Sequence, residues 1–270
     1  MLDKAMYGTR DAPVEWQAEL ERTMVQLGFV AVQSTPCLYY HAKSGVRVVG
    51  HVDDLMCVGS KTSLVKFLDD LKKKYQLTAK ILGPGKDEVR SGTFLGRRIG
   101  WEAGGLTWTG DERMARSALE EWEMTESREV ETPGVAEEVT AIGLEDAALM
   151  DPEQAAKYRR TAAKLNYASL DNPTIAFAAK EASRTMSAPR MGDDVKIKRI
   201  LRYLQRTATA TYLFEWQDAP AHLDGYTDSD WAGCKRTRRS TSGGVVLHGS
   251  HLIHHHSIAP RIPPDQLGTR

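Results

Sequence analysis

Two adjacent carboxylates, Asp53 and Asp54, stand in the middle of an apolar run, and no other stretch of the 270 residues constrains the fold as tightly. Upstream the chain reads Val46-Arg47-Val48-Val49-Gly50; downstream it reads Leu55-Met56-Cys57-Val58-Gly59. β-Branched and apolar residues on both sides of an acidic pair, with Gly at each end, predict two antiparallel strands folded about a tight turn. Two carboxylates at the tip of a buried hairpin are electrostatically expensive, because like charges at close range disfavour joint ionisation. A divalent cation removes that cost, and enzymes that transfer phosphoryl groups hold two metal ions with such groups. The competing reading is an ordinary surface turn, where Asp is favoured by hydrogen bonding to its own backbone.

Charge and cysteine content narrow the class. Lys plus Arg and Asp plus Glu each total 36, so the formal net charge is zero, which argues against a globally basic nucleic-acid binder. Cys37, Cys57 and Cys234 are odd in number and widely spaced, matching neither a disulfide framework nor a zinc-ligand pattern. A reducing compartment is therefore expected. No basic-plus-apolar leader opens the chain and no apolar run reaches membrane-spanning length, so the expectation is an intracellular protein, cytoplasmic or nuclear, without a membrane partner. The length suits one large or two modest domains.

Along the chain, Pro13 opens a helix over residues 13–27 with Gly28 as its stop, and Trp16, Leu20, Met24 and Leu27 make its apolar stripe. Residues 37–40 read as a strand and Lys43-Ser44-Gly45 as a turn before the acidic hairpin. Leu64, Phe67, Leu68, Leu71 and Tyr75 mark a second amphipathic helix. After Gly83-Pro84-Gly85, residues 93–101 and 106–108 read as a hairpin in the same layer as the acidic one, followed by a helix over 111–124. Helices mixed with antiparallel strands predict an α+β fold. Residues 135–150 are acidic and rich in small residues, which marks a linker.

Three helices follow, over residues 152–170, 173–186 and 193–205. The last carries an apolar stripe of Ile197, Ile200, Leu201 and Leu204, flanked by Lys196, Lys198, Arg199, Arg202 and Arg206. That basic face suits either a phosphate backbone or plain solvent. Residues 223–232 and 242–248 then read as strands joined by a basic connector.

Several motifs occur in a telling order: Met6-Tyr7-Gly8-Thr9-Arg10-Asp11-Ala12-Pro13, Leu27-Gly28-Phe29, Pro36-Cys37-Leu38-Tyr39-Tyr40 and His51-Val52-Asp53-Asp54 come first. Phe94-Leu95-Gly96-Arg97-Arg98-Ile99, Ile200-Leu201-Arg202-Tyr203-Leu204 and Gly225-Tyr226-Thr227-Asp228-Ser229-Asp230-Trp231 follow. In this order and spacing, over residues about 2 to about 250, the chain resembles the reverse transcriptase and ribonuclease H region of a copia-type retrotransposon Pol polyprotein. The resemblance implies a partial polymerase palm over 1–134, a linker over 135–150, a helical connection over 151–216 and the start of a ribonuclease H-like domain over 221–252. It implies RNA-directed DNA synthesis with Mg2+ or Mn2+, deoxynucleotides and an RNA/DNA primer-template. Asp53 and Asp54 would be catalytic metal ligands, and Asp228 a metal ligand of the ribonuclease H part. Tyr7, Gly8, His51, Phe94, Leu95 and Gly96 would contact template, nucleotide or primer, and Lys198, Arg199 and Arg202 the phosphate backbone.

The family usually has Tyr where His51 stands and Gln where Asp11 stands, and the second change adds negative charge near phosphates. Its third palm carboxylate precedes the Tyr7-Gly8 motif, and its ribonuclease H part needs later acidic residues. The expectation is therefore a fragment, truncated at both ends and inactive alone. The alternatives are a non-catalytic nucleic-acid-binding remnant and a gene-model artefact. Residues 253–270, with His254-His255-His256, depart from the family and are expected to form a disordered tail rather than a metal site, since adjacent histidines on a regular strand cannot all reach one ion.

Overall fold

The computed structural model describes residues 8–134, 147–231, 233 and 239–259, which divide between two compact units, Met1–Ile81 and Leu82–Arg270. The division between these units falls inside the segment 1–134 expected as the partial palm. Tyr7, residues 135–146 of the expected linker and residues 260–270 of the expected tail lie outside the described residues.

In the first unit, α1 (Ala12–Gln26) and α2 (Lys61–Lys72) bracket an antiparallel meander of β1 (Val30–Ala31), β2 (Leu38–Tyr40), β3 (Arg47–His51) and β4 (Asp54–Val58). Helix α1 ends as its sequence dictates. Gly28 takes φ +86°, its N–H donates to the Val25 carbonyl at 2.9 Å, and the Phe29 N–H donates back to the Met24 carbonyl at 2.9 Å. That is a Schellman ending, which Gly adopts without steric cost. The start of α2 is capped by the Ser60 hydroxyl, which accepts from the Ser63 N–H at 3.3 Å. Tyr39 and Val48, paired in register, point inward with Val46, while Leu20 and Met24 of α1 and Phe67 and Leu71 of α2 complete the core. The next residues along the strands, Tyr40, Val49 and Val58, face outward, as strand alternation requires.

The second unit holds a sheet of β5 (Ser91–Phe94), β6 (Arg97–Glu102), β7 (Gly105–Thr109) and β8 (Thr211–Glu215), all antiparallel. Strand β8 pairs with β7 across about a hundred intervening residues, which joins the expected palm segment and the expected connecting block in one unit. Residues 94–99, expected beside the acidic hairpin, belong to this sheet, and the expected strand over 93–101 is broken at residues 95 and 96. Helices α3 (Arg113–Glu121), α4 (Pro152–Ser169), α5 (Ala176–Ser183) and α6 (Asp194–Leu204) form the main core. Ala115, Ala118, Ala162, Ala178, Ala179 and Ala182 let these helices approach closely, and Leu165, Ile197, Ile200, Leu201 and Leu204 fill the space between them. Tyr158 is fully buried, its hydroxyl donating to the Ala182 carbonyl at 2.6 Å, and burial pushes its phenol well above the ordinary range.

A three-stranded antiparallel sheet completes the unit: β9 (Asp224–Ser229), β10 (Ser242–His248) and β11 (His251–Ile258), in the order β11-β10-β9. Strand β11 overturns the expected disorder from residue 253. Residues 254–258 pair with 242–246 of β10, so backbone hydrogen bonds hold a stretch whose composition carries no strand signal. The α+β class holds. Among the described residues no helix is long and apolar enough to cross a membrane.

Candidate active site

Strands β3 and β4 close on the pair His51 and Asp54, leaving Val52 and Asp53 as a two-residue turn. Val52 takes φ +54°, a left-handed conformation that a β-branched side chain enters only under strain. Its carbonyl accepts a hydrogen bond from Trp16 Nε1 of α1 at 2.5 Å, which ties the strained turn to the helix. Gly50 is where the strand passes close to α1: a Cβ there would lie 3.3 Å from Leu55 Cδ2 and 3.5 Å from Leu20 Cδ2. His51, Val52, Asp53 and Asp54 are all exposed. The turn is as expected, but its tip is not buried. Water screens the two charges, and the electrostatic cost argued from the sequence largely disappears.

Carboxylate oxygens are the donors that Mg2+ and Mn2+ prefer, so Asp53 and Asp54 suit a hard cation in kind. In number they fall short. Among the described residues no group of three His, Cys, Asp or Glu side chains is placed to hold a metal ion. Gly8, with φ +92°, begins the described chain; its expected neighbour in function, Tyr7, lies outside it.

The Phe94-Leu95-Gly96 segment forms a second tight turn, between β5 and β6. Leu95 at φ +49° and Gly96 at φ +80° give the two left-handed residues of a type I′ hairpin turn. Glycine is favoured at 96 on both counts, since a Cβ would also lie 2.5 Å from Arg113 Nη2 and 2.6 Å from Asp111 Oδ2, which would have to shift. Arg97 locks this turn. Its Nη1 donates to the Leu95 carbonyl at 2.9 Å and to Tyr167 Oη at 3.2 Å, while Nε reaches both Asp171 carboxylate oxygens at 3.1 and 3.0 Å. The pair is largely buried, with 15% of the Arg97 side chain and 10% of that of Asp171 exposed. Tyr212 Oη of β8 donates to the Asp171 carbonyl at 2.9 Å. Beside them, the hydrogen bonds from Arg113 hold the Asp111 carboxyl below its usual range, although burial opposes the shift.

Asp171 was invisible in the sequence. It follows a helix end in a Leu-Asp-Asn-Pro stretch that reads as punctuation, and its partner lies 74 residues earlier.

The basic face of α6 makes several local contacts. Lys198 Nζ pairs with Asp194 at 2.6 Å and Lys196 with Asp193 at 3.6 Å. Arg199 Nη2 donates to Thr132 Oγ1 at 2.7 Å, and Arg202 Nε donates to the Arg128 carbonyl at 2.6 Å. These local partners occupy one nitrogen each of Lys198, Arg199 and Arg202, and half of the Lys198 side chain stays exposed. Asp228 is exposed on β9, an outer strand of its sheet. Asp230, just beyond, is used locally: its carboxylate accepts from the Thr241 N–H.

Comparison with known proteins supplies the family. The reverse transcriptase (RNA-dependent DNA polymerase) family matches residues 1–136. Over 255 residues the chain is 30% identical to the retrovirus-related Pol polyprotein from transposon RE1 of Arabidopsis thaliana, covering 93% of this chain and 16% of that protein. It is 29% identical over 260 residues to the corresponding polyprotein from transposon TNT 1-94 of Nicotiana tabacum, covering 93% of this chain and 19% of that protein. An uncharacterized mitochondrial protein of Arabidopsis thaliana is 28% identical over 203 residues, 75% of this chain and 79% of its own length. The chain thus spans less than a fifth of the two Pol polyproteins. With its first half matched by the family and nearly all its length aligned to these polyproteins, the chain belongs to the reverse transcriptases of copia-type retrotransposon Pol polyproteins.

Proposed function

We propose that this chain supplies the carboxylate turn of an RNA-directed DNA polymerase palm, with Asp53 and Asp54 as its metal ligands. The observation that carries this reading is the pair of adjacent, solvent-open carboxylates on a two-residue turn between antiparallel strands. A divalent ion bound there would polarise the phosphoryl oxygens of an incoming deoxynucleotide and favour attack by the primer hydroxyl. The protein's part is placement. Trp16 and the tight approach at Gly50 hold the turn against α1, and the exposed His51 imidazole beside it can stack on, or donate to, a primer end. Phe94, Leu95 and Gly96 present a second rigid turn suited to a primer strand, and Tyr7 and Gly8 are assigned to the floor beneath template and nucleotide.

Two ligands cannot fix two metal ions at the roughly 3.5–4 Å separation of in-line transfer. The 270-residue polypeptide is therefore expected to be inactive alone, as a fragment of a longer polymerase. We assign β9–β11 to the opening sheet of a ribonuclease H-like domain, supported by three consecutive antiparallel strands with Asp228 exposed on one of them.

Primer extension tests the assignment. With Mg2+ or Mn2+ the isolated polypeptide should extend nothing. A chimera in which residues 1–136 replace the aligned segment of an active copia-type Pol protein should extend a primed RNA. Asp53→Asn and Asp54→Asn in that chimera should each reduce extension at least about a hundredfold, beyond the 10–100-fold usual for groups that only orient metal ligands. Undiminished extension by both variants would refute the site. Asp53-dependent extension by the isolated polypeptide would show instead that a second copy completes it.

A further inference from the structure

We propose that His254 and His256 form a two-imidazole site for a borderline divalent transition-metal ion such as Cu2+, Ni2+ or Zn2+. Five of the eight histidines lie between residues 248 and 256, and the fold sorts them into two groups. Three are spent on backbone carbonyls: His248 Nε2 meets the Pro220 oxygen at 3.2 Å, His251 Nε2 that of Glu215 at 2.9 Å, and His255 Nε2 that of Leu170 at 3.2 Å. The remaining two have no hydrogen-bond partner among the described residues, and they stand side by side. Two residues apart on β11, they share one face of the strand, and their ring centroids are 5.6 Å apart with the planes inclined by 39°. His255, between them, points to the opposite face, which is why three consecutive histidines yield a pair.

The surroundings leave the pair room to converge. Gly244 of β10 lies opposite His256 and has no side chain; a Cβ there would meet the His256 ring at 2.3 Å. The ring therefore lies over bare backbone, a cross-strand contact that stabilises a strand glycine. Two imidazole nitrogens, each about 2.1 Å from one ion, must stand roughly 3–4 Å apart, a separation that small ring rotations reach from 5.6 Å between centroids. Neutral imidazole suits Zn, Cu and Ni rather than Mg, so this site and the carboxylate turn differ in ligand chemistry. With only two protein ligands, water fills the other positions and affinity should be modest, greatest for Cu2+ by the usual order of divalent ions.

Copper titration of the 270-residue chain, followed by electron paramagnetic resonance at pH 7.5, is the test. One Cu2+ per chain should bind at micromolar concentrations with hyperfine structure from two nitrogens. His254→Ala, an exposed position whose loss leaves the β10 pairing intact, should weaken binding at least about tenfold and reduce the signal to one nitrogen. His255→Ala should leave both unchanged. The proposal fails if His254→Ala and His256→Ala together retain the two-nitrogen signal, or if His255→Ala weakens binding as much as His254→Ala does.

Discussion

The chain contains two tight two-residue hairpin turns that are opposite in electrostatics. Each puts a non-glycine apolar residue at positive φ, Val52 at +54° and Leu95 at +49°. At the first, one hydrogen bond from Trp16 holds the strained carbonyl, and both carboxylates remain open to solvent. At the second, Arg97 grips the turn carbonyl while a buried Asp171 neutralises Arg97, and Tyr167 and Tyr212 bind the same assembly. The difference is one of availability. Charges at Val52–Asp53 are free to meet a ligand; charges behind Leu95–Gly96 are consumed in making the turn rigid.

The sharpest way to break this contrast is to remove Asp171. Asp171→Ala leaves a largely buried guanidinium without its counter-charge and should cost about 3–5 kcal/mol, measured as a lowered urea midpoint for the unit that contains it. Asp171→Asn, which can still accept from Arg97, should cost less. If Asp171→Ala unfolds like the parent, the second turn is not locked by charge at all.

Strain at the first turn gives a smaller effect of the opposite sign. Positive φ costs a non-glycine residue about 1–3 kcal/mol, while glycine's added freedom in the unfolded chain returns about 0.5–1 kcal/mol of that. Val52→Gly should therefore stabilise the first unit by about 1 kcal/mol, read from thermal unfolding. A loss of stability would mean that the Val52 side chain supports the turn through contacts despite its exposure. Smallest of all should be the effect of Asp53→Asn on folding. An exposed carboxylate with no partner among the described residues changes stability by less than about 0.5 kcal/mol, so chemical denaturation curves should superimpose. A larger shift would show that the charges at this turn are structural after all, and the two turns would then differ only in degree.

Some of this was plain from the chain alone. The alternation around Asp53 and Asp54 and the glycines beside it located the hairpin. The stripe of Ile197, Ile200, Leu201 and Leu204 named four residues that are all fully buried. The hairpin read over 93–101 and 106–108 is present as β6–β7, but the turn that divides β5 from β6 was missed, because Leu95-Gly96 lacks the Asn-Gly or Asp-Gly signal that marks two left-handed residues. The part of β11 from residue 253 was read as a disordered tail because the sequence departs from the family there; pairing with β10 is what holds it extended. The basic face of α6 was legible as a face, but its occupation was not: Thr132 and the Arg128 carbonyl take up Arg199 and Arg202 from a distant part of the chain.

What the sequence determined by itself is therefore local: which segments are helix or strand, which face of each is apolar, and that two carboxylates share a turn. Those properties follow from periodicity and turn chemistry within a few residues. Tertiary structure alone decided which charges are spent and which are free. Arg97 meets Asp171 across 74 residues, and Thr109 of β7 meets Thr211 of β8 across 102. Whether a charged side chain is neutralised depends on what lies within a few ångströms of it in space, and Coulomb attraction in a partly desolvated pocket takes no account of how far apart the partners stand in the chain.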